Sequence, residues 1–66
     1  MKLRLNGDLR EIPELRNVSD LLAFLQLAEK LVLVERNGAA IDRDRFAATP
    51  IQEGDTVEII RMVAGG

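Results

Sequence analysis

The side chains that most often perform covalent chemistry are scarce in this sequence. It has no cysteine and no histidine, so the usual thiol nucleophile and the usual base are both missing. Its single serine, Ser19, falls in the first turn of a predicted helix and is interpreted as a helix-start residue. The "DRDR" run from Asp42 to Arg45 interleaves opposite charges, which is typical of a solvated loop. Side-chain catalysis and a side-chain metal site are therefore not expected.

The remaining candidate for chemistry is the main chain at the C-terminus, where Ala64 leads to Gly65 and Gly66. Residues without a Cβ can pass through a narrow channel, and the terminal carboxylate is ionised at neutral pH. Transfer of AMP from ATP makes such a carboxylate a mixed anhydride, and a sulfur nucleophile can then replace AMP. The product is a thiocarboxylate, which carries sulfur without any thiol side chain. The alternative interpretation is a frayed and inert chain end.

Length and charge exclude several classes of function. The chain has 66 residues, which predicts one domain over 1–66 with a flexible tail at 64–66. Nine basic residues are scattered among eleven acidic ones, and the net charge of −2 argues against a nucleic-acid partner. The longest apolar run, Leu31 to Val34, is far too short to span a membrane. The N-terminus lacks the apolar segment of a secretion signal, so the expected location is the cytoplasm.

The first half of the chain predicts a hairpin followed by a helix. Alternation around Leu3 and Leu5 indicates a strand, and Asn6-Gly7 is a strong hairpin signal. The second strand is predicted from Leu9 to Leu15, with Pro13 placing that part at an edge or at the strand's end. Asn17 is a good N-cap for a helix that is predicted to end near Ala28 to Lys30.

The second half predicts two more strands. One runs from Leu31 to Arg36 and ends in a second Asn-Gly turn, and the other runs from Thr56 to about Met62. Between them, Phe46 is expected to anchor a short helical turn. The predicted fold class is α+β, with a four-stranded mixed sheet and one helix across one of its faces, the other face being solvated.

Five segments, in this order and at these spacings, resemble the ThiS-type sulfur carriers of thiamine biosynthesis: "LRLNG", "NVSDLLAFL", "ERNGAAIDRDRFAAT", "EGDTVEI" and "VAGG". The resemblance covers essentially the whole chain. It implies the ubiquitin-like β-grasp fold and a carrier that is itself a co-substrate rather than an enzyme.

The resemblance also implies a set of partners. A ThiF-like adenylating enzyme uses ATP to activate Gly66, a cysteine desulfurase supplies sulfur as a persulfide, and a ThiG-like thiazole synthase receives it. No cofactor bound by the chain itself is implied.

Two positions depart from the family pattern, and three alternatives stay open. Gln26 stands where glycine is frequent near the helix end, and Arg36 stands where an apolar strand residue is common. Ala64 before the glycines is also compatible with MoaD-type carriers of molybdopterin synthesis. A ubiquitin-like modifier joined to lysine, or a module with an inert tail, would share the same fold.

A partner-binding surface is predicted beside the tail. If Val57 and Ile59 face the helix, Ile60 and Met62 face the solvated side of the sheet. With Leu33 they are expected to form an apolar patch for partner proteins. A one-residue slip in register would reverse this assignment.

Overall fold

The computed structural model describes residues 1–62, so the predicted tail at 64–66 lies outside the described residues. Within 1–62, one sheet is formed by β1 (Lys2–Leu5), β2 (Asp8–Glu11), β3 (Val32–Arg36), β4 (Ala39–Ile41) and β5 (Thr56–Arg61). A helix, α1 (Val18–Phe24), and two 3₁₀ helices, Glu29–Leu31 and Arg43–Ala48, complete the elements. The strand order is β2-β1-β5-β3-β4. Only the β1–β5 pair is parallel.

Both predicted Asn-Gly turns are confirmed. The φ angles are 49° and 87° at Asn6 and Gly7, and 51° and 84° at Asn37 and Gly38. Positive φ at both central residues is the geometry of tight hairpin turns. The second turn leads directly into β4, so the sheet has five strands rather than the predicted four. The three residues of β4 are too few for the alternation by which a strand is recognised.

The second strand is shorter than predicted, because β2 ends at Glu11 rather than at Leu15. Ile12 makes the last pairing contact, its N–H donating to the carbonyl of Met1 at 2.8 Å. Pro13 follows and has no N–H to donate, so the ladder stops there.

The helix begins as predicted and ends early. The side chain of Asn17 accepts a hydrogen bond from the N–H of Asp20 at 2.8 Å, which confirms the N-cap. The helix ends at Phe24 because Gln26 adopts φ 58°. The N–H of Leu27 then bonds the carbonyl of Leu22 at 2.9 Å, which closes the C-terminus as a Schellman motif. A left-handed conformation costs a non-glycine residue about 1–2 kcal/mol.

One apolar layer joins the helix to the sheet, as predicted. Alternate strand residues point inward, including Val32 and Val34 on β3 and Val57 and Ile59 on β5. Phe46, 1% exposed, anchors the second 3₁₀ helix beneath them, as expected. The buried apolar residues are Leu3, Leu5, Ile12, Val18, Leu21, Leu22, Val32, Val34, Phe46, Ile51, Val57 and Ile59. No helix within residues 1–62 is long and apolar enough to cross a membrane.

A buried carboxylate fixes the start of β5. Asp55 accepts hydrogen bonds from Arg36 Nε at 2.7 Å, Asn37 Nδ2 at 3.1 Å and the N–H of Gln52 at 2.8 Å. Asn37 Oδ1 also accepts from the N–H of Thr56 at 2.9 Å. Arg36, which departs from the family pattern, is therefore the charged partner of a buried acid. The group ties the β3–β4 turn to the first residue of the strand that leads to the tail.

The Asp55 network makes the fold sensitive to acid. Burial raises the pKa of Asp55, but the hydrogen bonds from Asn37, Gln52 and Arg36 together outweigh that effect and leave the pKa below its ordinary value. A lowered pKa in the folded state stabilises the fold above the unfolded-state pKa of about 3.9, and this stabilisation is lost as the pH falls through the folded-state pKa.

We expect Asp55→Asn to lower the free energy of unfolding at pH 7 by about 2–4 kcal/mol, because Arg36 and the amide donors lose their charged acceptor. Its stability should also fall less between pH 5 and pH 2 than that of the unchanged protein. Urea unfolding across that range measures both effects. The matched control is Asp42→Asn, an exposed carboxylate. Equal acid sensitivity in the unchanged protein and in Asp55→Asn would contradict this role for Asp55.

Candidate functional site

Hydrogen bonds hold the chain in place up to Met62, the last described residue. Beyond the end of β1, Asn6 takes over the pairing with β5: its Oδ1 accepts from the N–H of Ile59 at 2.7 Å, and its Nδ2 donates to the Ile59 carbonyl at 3.2 Å. On the other side, the N–H of Met62 donates to the Leu31 carbonyl at 2.7 Å. Met62 therefore follows a strand that is paired on both sides.

Leu33 and Ile60 form an exposed apolar pair on the face of the sheet opposite the helix. They are direct partners in the β3–β5 register, and their exposed fractions are 53% and 54%. Side chains directly opposite on antiparallel strands are close neighbours. The alternation that buries Val32 and Val34 forces Leu33 outward, so the inward and outward assignments made from sequence are confirmed for these strands.

A shallow groove adjoins this pair. It has a volume of about 310 Å³ and is lined by Leu33, Ile60, Ala40 and the acidic residues Glu35 and Asp42, among others. Within the described residues, the groove thus combines apolar side chains with two carboxylates and one guanidinium group, that of Arg43.

Two electrostatic features frame that groove. Glu35 lies directly opposite Glu58 in the register, and like charges at such positions repel. Arg43, which also lines the groove, donates through Nε to the carbonyl of Glu29 at 2.9 Å and through Nη2 to that of Lys30 at 3.2 Å. Arg43 thus fixes the loop that enters β3.

Met62 is separated from the Leu33–Ile60 pair. It lies one residue past the end of β5, is 38% exposed, and lines a different groove together with Leu27 and Leu31. The structure therefore brings together two of the three residues predicted for the patch. Leu31, 51% exposed, was missed as a surface residue, although it is the first residue of "LVLV" and the same alternation that places Leu33 outside places it outside too.

The other sequence candidates provide no catalytic group. Ser19 lies in the first turn of α1, and Asp42 to Arg45 are exposed around the start of the second 3₁₀ helix. Residues 1–62 contain no group of His, Cys, Asp and Glu side chains that could hold a metal ion. Gly66, Gly65 and Ala64 lie outside the described residues, so their roles stay predictions.

Comparison with known proteins places this arrangement in a family. The sequence model of the ThiS family matches residues 3–66. The chain is 38% identical to the sulfur carrier protein ThiS of Bacillus subtilis over 65 residues, which cover 97% of this chain and 98% of that protein. This chain belongs to the ThiS family. Membership assigns it the role of a small sulfur carrier protein in thiamine biosynthesis, and it decides between the thiazole and molybdopterin pathways that the sequence left open.

The fold agrees with that of a solved ThiS structure. The crystal structure of the thiamine biosynthesis protein ThiS from Geobacter metallireducens matches with a TM-score of 0.83 and 36% sequence identity over the whole of both chains. The predicted β-grasp class is therefore confirmed for this ThiS-family member, with five strands instead of four.

A second group of relatives is much longer than this chain. A thiazole synthase of Magnetococcus marinus is 35% identical over 66 residues, which are all of this chain but only 20% of that protein. A thiazole synthase of Paramagnetospirillum magneticum is 33% identical over the same proportions. A segment resembling the whole ThiS-family chain is thus part of some thiazole synthases.

Proposed function

We propose that the C-terminal carboxylate of Gly66 is the group on which this carrier holds sulfur. The observation that carries the proposal is the extent of the family match, which continues to Gly66 itself. The composition supports it, because the chain has no cysteine to hold sulfur in any other familiar way. Gly65 and Ala64 form the tail that brings Gly66 to a partner's active site.

The chemistry proceeds in three steps. A carboxylate oxygen of Gly66 attacks the α-phosphorus of ATP, and pyrophosphate leaves to give an acyl-adenylate. The outer sulfur of a persulfide then attacks the carbonyl carbon and AMP leaves. Cleavage of the remaining sulfur–sulfur bond by a thiol leaves the thiocarboxylate on Gly66. The carrier contributes only its terminal carboxylate, so each step needs a partner enzyme.

Three partners fit these steps. A ThiF-like adenylating enzyme uses the ATP, a cysteine desulfurase provides the persulfide, and a ThiG-like thiazole synthase receives the sulfur. The similarity of the whole chain to a segment of thiazole synthases supports the last of these. In this scheme the carrier itself binds no cofactor, and we propose that it works in the cytoplasm together with these enzymes.

The Leu33–Ile60 pair is our candidate docking surface for the adenylating enzyme. The two side chains are exposed by about half, lie directly opposite each other, and belong to β5, the last strand before the tail in sequence, and to its partner β3. Paired apolar side chains that protrude from a polar rim are typical of the energetic centre of an interface. Met62, which lines a different groove, is left out of this surface, and Glu35 and Glu58, which lie opposite each other beside the pair, favour a basic partner surface.

Sulfur loading can be read directly because the chain has no thiol. After incubation with ATP, cysteine, the desulfurase and the adenylating enzyme, the intact mass should rise by the difference between one sulfur and one oxygen atom. A thiol-alkylating reagent should then label the chain once, at Gly66.

Two tail variants are matched controls for the loading experiment. Deletion of Gly66 and addition of one alanine after Gly66 both leave residues 1–62 unchanged, and both should abolish loading. Loading of either variant, or transfer of the tail to lysines of other proteins in place of sulfur loading, would contradict the proposal.

The docking surface is tested by charge substitution on the sheet. Leu33→Glu and Ile60→Glu should each lower kcat/KM for adenylation at least tenfold through a higher KM, because the interface loses a buried apolar contact. Stability should change by less than about 0.5 kcal/mol, since both side chains are exposed. AMP release at varied carrier concentration gives the kinetic constants. Leu9→Glu, at a 62%-exposed position on β2, is the control. Equal effects of all three substitutions would overturn the assignment.

A further inference from the structure

The sheet extends beyond the helix that covers it, and two arginines occupy inward positions in the uncovered part. The helix has only seven residues. On β5 the inward residues Val57 and Ile59 are buried, but the next inward position is Arg61, which is exposed. On β2, Arg10 lies directly opposite the fully buried Leu3 and therefore on the same face.

These two arginines flank a groove of about 210 Å³. Leu5 and Ile59 form its apolar floor, Leu27 belongs to its helix-side wall, and no acidic residue lines it. Within residues 1–62, neither guanidinium makes a hydrogen bond or an ion pair. Within that range, neither positive charge is paired with an acidic side chain.

A second groove, of about 220 Å³, continues the first on the other side of Arg61. Leu27 and Arg61 line both grooves, and Gln26 and Met62 line only the second. We call the two together the helix-end groove, the surface on both sides of Arg61 that is bounded by Arg10 and Gln26. It lies on the helix side of the sheet, whereas the Leu33–Ile60 pair lies on the opposite side.

Gln26 is an independent sign that this surface is used. Its φ of 58° is strained for any residue with a side chain, and glycine would relieve the strain. Its exposed side chain makes no hydrogen bond with residues 1–62 and lines the groove. The Schellman motif requires the positive φ at this position but not a residue with a side chain, and side-chain-bearing residues held in such strained conformations cluster at functional sites.

We propose that the helix-end groove is a second docking site, which binds an acidic segment of the thiazole synthase. The groove offers two guanidinium groups and a primary amide above an apolar floor. The complementary ligand is an apolar side chain with carboxylates beside it, because charge-assisted hydrogen bonds from arginine to carboxylate are strong and directional. This inference rests on the proposed function, which supplies the two enzymes.

The position of the groove favours the synthase over the adenylating enzyme. Arg61 precedes Val63 by only two residues in the sequence. An enzyme that binds the tail therefore also comes close to the groove. The adenylating enzyme and the synthase must bind the same tail in succession. The Leu33–Ile60 pair is already our candidate docking surface for the adenylating enzyme. A second surface on the helix side of the sheet lets the synthase engage a different part of the carrier. Relatives that contain a carrier-like segment are themselves thiazole synthases.

The charge test uses the full-length carrier and purified thiazole synthase, with the dissociation constant measured by titration calorimetry. Arg10→Glu and Arg61→Glu should each weaken binding at least tenfold and reduce its dependence on salt. The matched control is Arg45→Glu, an exposed arginine on the second 3₁₀ helix that lines neither groove. Unchanged binding by both groove variants, or an equal loss in the control, would overturn the proposal.

Gln26 gives a test that separates binding from stability. Gln26→Gly should raise the melting temperature, because the backbone strain is relieved, and should weaken synthase binding at least threefold because the amide is lost. Gln26→Asn retains an amide and a residue that tolerates positive φ, so it should bind more tightly than the glycine variant. If Gln26→Gly raises the melting temperature and binds as the unchanged protein does, Gln26 has no role in docking.

Failure of this proposal is distinguishable from failure of the proposed function. Each variant is also loaded with sulfur and followed by intact mass. We expect the groove variants to load normally, because the adenylating enzyme uses the other face. Loss of loading with normal synthase binding would overturn the groove assignment alone. Absence of loading in the unchanged protein would overturn the proposed function, and the binding titrations would still decide the groove.

Discussion

The structure depends on how its last strand is held. β5 is the central strand, paired with β1 on one side and with β3 on the other, and an asparagine from each tight turn secures one of its ends. Asn37 bonds the N–H of Thr56 at its start, and Asn6 bonds both main-chain groups of Ile59 near its end. These bonds replace strand pairing where a neighbouring strand stops, so the final residues of the chain follow the most constrained strand of the sheet.

That constraint explains how a chain without cysteine or histidine can act as a carrier in thiamine biosynthesis. A carrier needs a terminus in a defined place and surfaces that different enzymes recognise. Its helix covers only part of one face, because Gln26 ends it early, and the uncovered part exposes Arg10 and Arg61. The other face exposes Leu33 and Ile60, which strand alternation forces outward. Each surface is thus a direct consequence of how the strands and helix are terminated.

Much of this arrangement could be predicted from local signals. The two Asn-Gly pairs, the Asn17 cap and the alternation in "LVLV" each act within a few residues, so the hairpins, the helix start and the exposed side of β3 follow from them. The end of the helix could not be predicted, because Gln26 occupies a conformation that sequence patterns associate with glycine. β4 was missed because a strand of three residues is too short to show alternation. The inward position of Arg61 was missed because the alternation that places Val57 and Ile59 inside was not continued to the next odd-numbered residue.

The central claim is that the sulfur delivered to the thiazole leaves from the C-terminal carbonyl of this carrier. The most direct measurement is to load the carrier with isotopically labelled sulfur, purify it, and incubate it with thiazole synthase and the remaining substrates, with unlabelled cysteine in excess. We predict that the label appears in the thiazole product in proportion to the carrier consumed, and that the carrier returns to its carboxylate mass. A thiazole product without the label, formed while the carrier keeps its sulfur, would contradict the account.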